Sequence, residues 1–343
     1  MLYRNARFAA ASGAAALLLA ACSGGGGSPT SNSSALQPQS LQMRPASKAR
    51  TFDSVTGRIG LPPGFHGLLT RAHDTSPSWL SEEASSPIER LYVSDADTDD
   101  VYIYNTAKLS KPIGTITGLD EPLGSFVDAK GNFYVANLGT STVLEYPKGS
   151  KTASKTYSTG LSDPIGVAVG SDGTVYVSEF EEGAVVVYAP GKMTPAYTLS
   201  ISEPEGVTLD SKNNLYVSYN NANTGTGAVE KFAPKAKTGK DLGISVEFTG
   251  DIKINKSGDI ILEDQDNQAV NFYKPGATSP YGSISAGVDT YKLALNSAET
   301  LLYIGDFSTS VPVYDAKPSG KLVESVTGLE AASGVSLSPA PPL

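Results

Sequence analysis

The chain has one cysteine, Cys22, so no disulfide can form within it. Its two histidines, His66 and His73, both precede the repeating part of the chain. That part therefore has no imidazole for general-base or metal chemistry. Positive charge is scarce, with 26 Lys and Arg against 35 Asp and Glu and a formal net charge of −9. A nucleic-acid partner is excluded on that balance, because phosphate binding needs a basic face. Also missing are a Ser/His pairing, a thiol in the repeats, a Gly-rich phosphate loop and any long amphipathic helical run.

Turn formers and strand formers are abundant. The chain holds 35 Gly, 22 Pro and 17 Tyr among short Val-rich runs, which suits an all-β body with many turns. Residues 162–190, SDPIGVAVGSDGTVYVSEFEEGAVVVYAP, give the cleanest unit. Three alternating apolar runs are parted by a tight polar turn and an acidic loop.

The N-terminus has a different composition. Arg4 and Arg7 are followed by an apolar, Ala-rich stretch over residues 8–21 that ends Leu19-Ala20-Ala21-Cys22. It is too short to cross a membrane and stop, and reads as a signal peptide over residues 1–21. The ending resembles the lipobox of bacterial lipoproteins. That resemblance implies cleavage before Cys22, lipidation of Cys22, and anchorage in the cell envelope, at the outer membrane or on the periplasmic side in a Gram-negative host. Residues 22–50, rich in Ser, Gly, Pro and Gln, read as a disordered tether. Residues 51–89 form a lead-in covering one end of the body, and residues 90–339 hold the repeats.

Two independent registers define those repeats. In the second strand of each unit, Tyr92, Tyr134, Tyr176, Tyr216 and Tyr303 recur with Ile261 in one slot, at intervals of 40 to 45 residues. In the third strand, Tyr104, Tyr146, Tyr188, Phe232, Tyr273 and Tyr314 recur at 41 to 44. That spacing predicts a six-bladed β-propeller of four-stranded antiparallel blades. First strands begin at Gly124, Gly166 and Gly206, with Ile252-Lys253-Ile254 and Leu293-Ala294-Leu295 in the next two units. No such strand precedes Tyr92, but Gly334-Val335-Ser336-Leu337 follows the last unit. The C-terminal strand is therefore expected to join blade one and close the ring, removing open sheet edges.

The runs Pro122-Leu123-Gly124 with Asp128, Gly131-Asn132 and Tyr134-Val135, and Pro204-Glu205-Gly206 with Asp210, Asn213-Asn214 and Tyr216-Val217, resemble the NHL-type repeat. The neighbouring six-bladed group of SMP-30-like lactonases and gluconolactonases is similar in layout. That resemblance implies a divalent ion held at the channel mouth, although the metal-binding trio of those enzymes has no residue-by-residue match here.

Three residues beyond the strand-two aromatic stand Asp95, Asn137, Glu179, Tyr219, Asp264 and Asp306. As oxygen donors they are candidates to hold Ca²⁺ or another divalent cation, or to accept backbone N–H bonds as in Asx-turns. Glu205, Asp251 and Asp289, near the starts of inner strands, are second-choice ligands closer to the axis. Loops joining strand two to three and strand four to the next blade are acidic, while the opposite rim holds most lysines. From this the chain is expected to be a monomeric, lipid-anchored envelope module that binds a partner protein or small ligand through its acidic face. The alternative is a metal-dependent lactonase or lyase.

Overall fold

The computed structural model describes residues 76–288 and 290–338. The expected signal peptide and tether, Cys22, most of the expected lead-in and Asp289 lie outside the described residues. The body is a ring of six antiparallel sheets. Blade two, for example, runs Pro122–Val127, Phe133–Asn137, Thr142–Tyr146 and Lys155–Tyr157, from the axis outward. Ring closure is as expected: Ala332–Ser338 pairs with Arg90–Asp95, matching Tyr92 to Ser336 and Ser94 to Gly334. Each inner strand packs beside the next, and Ala332–Ser338 lies between those of blades six and two.

The tight turn after the inner strand in blades two to six explains the D-x-x-G-N pattern. The N–H of Gly131, Gly173, Asn213, Gly258 and Glu299 donates to the carbonyl three residues earlier at 2.8 to 2.9 Å. Each of these five donors has a positive φ, between 57° and 86°, which favours Gly and Asn. Asp128, Asp210 and Asn255 close the turn by accepting N–H bonds from residues two and four further on. The repeated motif is thus a turn recipe.

Among the described residues, an apolar cluster fills the space between each pair of adjacent blades. The recurring tyrosines belong there: Tyr157 meets Tyr188 edge to face at 5.1 Å, and the Tyr188 hydroxyl donates to the Thr159 carbonyl. Burying such a ring contributes about 1.5–3 kcal/mol or more.

Two boundaries differ from the sequence reading. Part of the lead-in enters the sheet: Trp79–Leu80 pairs with Gly114–Ile116 and makes blade one five-stranded. Its outer edge is thus covered by backbone pairing, which no periodicity announces in a two-residue strand. In blade four the outer strand is Lys240–Val246, and Thr249–Gly250 already belong to the inner strand of blade five. A register shift between Ala228 and Glu230 moves the pairing earlier in the chain.

Candidate functional site

The cross-strand partners of the strand-two tyrosines form a ring near the axis. In blade order they are Ser336, Phe126, Ala168, Thr208, Lys253 and Ala294, opposite Tyr92, Tyr134, Tyr176, Tyr216, Ile261 and Tyr303. All but Ala168 line an axial cavity of about 480 Å³ that opens among the strand-one-to-two turns. Phe126 packs against the clusters on both sides of blade three, and that blade's inner strand adds nothing to the wall. In a ring of six, blade two stands across from blade five, so Phe126 and Lys253 occupy opposed positions in the ring. The Ser125 hydroxyl meets that of Ser336 at 2.9 Å, adding a polar patch.

One layer toward the other face lies the constriction. Gly124, Gly166, Gly206 and Gly334 crowd the axis there. A Cβ on Gly334 would come within 2.1 Å of the Leu123 carbonyl oxygen, and one on Gly124 within 2.5 Å of that of Ile165. Blades five and six break the pattern with Asp251 and Lys292. Lys292 is buried and crosses the channel. Its Nζ donates to the Glu205 carbonyl of blade four at 3.2 Å, lies 4.0 Å from Glu205 Oε2, and sits 4.0 Å above the Tyr291 ring. Its Cε lies within 3.2 Å of the Cβ position of Gly124 in blade two.

Asp251 is held from several sides. Its Oδ1 accepts from Ile252 N and its Oδ2 from Leu293 N at 3.0 Å, while Lys253 Nζ pairs with Oδ2. Its own N–H donates to Glu263 Oε2 at 2.5 Å. Glu263 is completely buried, and burial together with the neighbouring Asp251 charge pushes its carboxyl well above the usual range. Burial likewise lowers the Lys292 amine. Over this layer, on the acidic side, sits an apolar cap that includes Leu123, Ile165 and Tyr291, with Tyr291 against Phe307 at 4.5 Å.

The expected oxygen ring lies on the acidic face and is not a convergent set. Asp95 accepts the N–H groups of Asp97, Thr98, Glu330 and Ala331. Asn137 accepts from Asp120 N, and Glu179 from Ser162 N and Asp163 N. Asp306 accepts from Ser308 N, and Asp264 from the Asn267 amide. In blade four the equivalent role falls to Asn220, which accepts from Thr249 N at 2.8 Å, and not to Tyr219. These side chains tie loops to sheets. Among the described residues no three His, Cys, Asp or Glu side chains come together as a metal-holding group, so the donors present do not fit the Ca²⁺ or other divalent ion that the resemblance implies. Of the second-choice ligands, Glu205 and Asp251 do reach the axis, where they face Lys292 and Lys253.

Sequence reasoning missed Phe126, Lys253, Glu263 and Lys292. The signal was present as a break in period: Gly opens four inner strands, and Asp251 and Lys292 take that slot in the other two.

No protein-family model and no curated protein matches the chain. Solved structures are similar in fold. A chain from a nidogen/laminin complex covers 73% of this one and 98% of itself at 13% identity, with a TM-score of 0.60. A Kuenenia stuttgartiensis hydrazine synthase chain covers 78% and 91% at 18% identity, TM-score 0.55. A functionally unknown protein from Desulfotomaculum acetoxidans DSM 771 covers 79% and 91% at 16%, TM-score 0.53. At such identities the likeness shows the β-propeller fold alone.

Proposed function

We propose that this propeller is a lipid-anchored binding module of the cell envelope, related to the NHL-like six-bladed group, whose small ligand enters the axial cavity. One observation carries the binding reading: a concave site of about 480 Å³ on the axis, walled by side chains from five blades. Its size falls within the ordinary range for ligand pockets, about 300–1,000 Å³. The cavity opens on the lysine-bearing face, so concavity favours that face over the acidic loops to which charge alone pointed. Those acidic side chains are largely engaged with backbone N–H groups, which leaves them poorly placed to bind a partner or an ion. The anchoring part of the proposal rests on the basic, apolar and Cys22-terminated N-terminal segment.

A thermal-shift screen of the purified full-length protein against small molecules tests the site. Ligands are expected to raise the melting temperature of the wild type and not of Thr208→Phe, whose ring would fill the cavity. If every stabilising compound acts equally on both, binding lies elsewhere.

A further inference from the structure

The cavity wall is asymmetric in a way that selects a ligand class. At mid-channel the ring offers one large apolar face, Phe126, and across the axis one cation, Lys253. Hydroxyls stand on the remaining opposed pair that is not alanine, Thr208 and Ser336. Above them Leu209, Ile254 and Pro275 extend the apolar wall.

Charge leans one way as well. Four lysines, Lys212, Lys231, Lys253 and Lys256, line the cavity against Asp210, Glu299 and, behind Lys253, Asp251, an excess of one positive charge. Lys231 is engaged by Asp210 and by the Tyr216 hydroxyl at 2.5 Å, and the Lys256 ammonium by the Ser297 carbonyl at 2.7 Å. Lys253 is the one of the four that stands in the mid-channel ring itself. Like Asp210 beside Lys231, its carboxylate partner accepts two backbone N–H bonds and is fixed by them. Asp251 therefore orients the ammonium, which has three donors, while the Lys253 side chain keeps 25% of its surface exposed at the floor.

We infer that the cavity binds an organic monoanion with a flat apolar body, its acid group on Lys253 and its body against Phe126. This rests on the cavity being the binding site. A ring-sized body gains from stacking on an aromatic wall, and a charge-assisted contact in a partly dry site separates an acid from its neutral isostere by about tenfold.

The test uses three isosteres of different charge, 2-naphthoate, 2-naphthamide and 2-naphthylmethylamine, titrated calorimetrically into the full-length protein at pH 7. Naphthoate is expected to bind about tenfold more tightly than the amide and more tightly still than the amine. Lys253→Met should remove that preference and Lys253→Arg keep it, which separates loss of charge from loss of fold. Phe126→Ala should weaken all three and leave their order intact. Equal affinities for the three, abolished by Thr208→Phe, would overturn the monoanion class and leave the cavity as a site. An unchanged acid preference in Lys253→Met would overturn the assignment of the acid group. No binding by any of the three would overturn the monoanion class, while the cavity as a site stands or falls on the Thr208→Phe comparison.

Discussion

Glu179 shows how a surface-loop acid becomes structural. Its carboxyl is buried and accepts Ser162 N at 2.6 Å and Asp163 N at 3.0 Å. Those bonds favour the charged form, but burial outweighs them and the nearby Asp163 charge adds to it, lifting Glu179 to about 8 and Asp163 to about 6. The native state therefore keeps a proton that the unfolded chain releases near its ordinary carboxylate value. Stability from this source is complete below about pH 4.5 and is lost as pH climbs through about 8, at about 1.4 kcal/mol per unit per proton. Urea denaturation between pH 5 and 9 should show that decline in the wild type and a shallower one in Glu179→Gln; identical slopes would show that Glu179 holds no such proton. Lys292 follows related logic at the axis, where its charge is set among Glu205, Asp251 and Glu263 and removing any one leaves others uncompensated.

At the scale of strands, the closing segment Ala332–Ser338 depends on Gly334. Its backbone lies against Leu123 of blade two so closely that an added Cβ would meet the carbonyl oxygen at 2.1 Å. Gly334→Ala is expected to destabilise the body by about 1–3 kcal/mol in urea, since packed backbone moves little to relieve such overlap. A variant as stable as the wild type would mean that the closing strand is not seated against blade two. Much of this level was readable beforehand. The Tyr registers gave the six units, and the turn motif follows from local φ and Asx acceptance, both short-range. Trp79–Leu80 and the early outer strand of blade four were not readable, because pairing with a distant edge leaves no local period.

For the whole molecule, the charge of the acidic rim overstates the field it presents. Asp95, Glu121, Asp163, Glu179 and Asp264 are buried, and the first, third and fourth hold loop backbone. The concavity opens on the opposite face. The proposed lipid anchor belongs to this scale too. Cys22→Ser expressed in a Gram-negative host should move the protein from the membrane to the soluble envelope fraction and end incorporation of labelled palmitate; an unchanged membrane fraction would remove lipidation as the anchor. Two or three acyl chains, at about 0.8 kcal/mol per buried methylene, are ample for the difference.

By itself the sequence determined the blade count, the strand order within each blade and the velcro of tail onto head, since these are written in a period that the chain repeats. Which side chains share the axis was decided only by folding. Phe126 and Lys253 are 127 residues apart, and Lys292 meets Glu205 across blades that do not pair. A ring brings such positions together by symmetry, so their chemistry comes from which repeats depart from the consensus and which way those departures point.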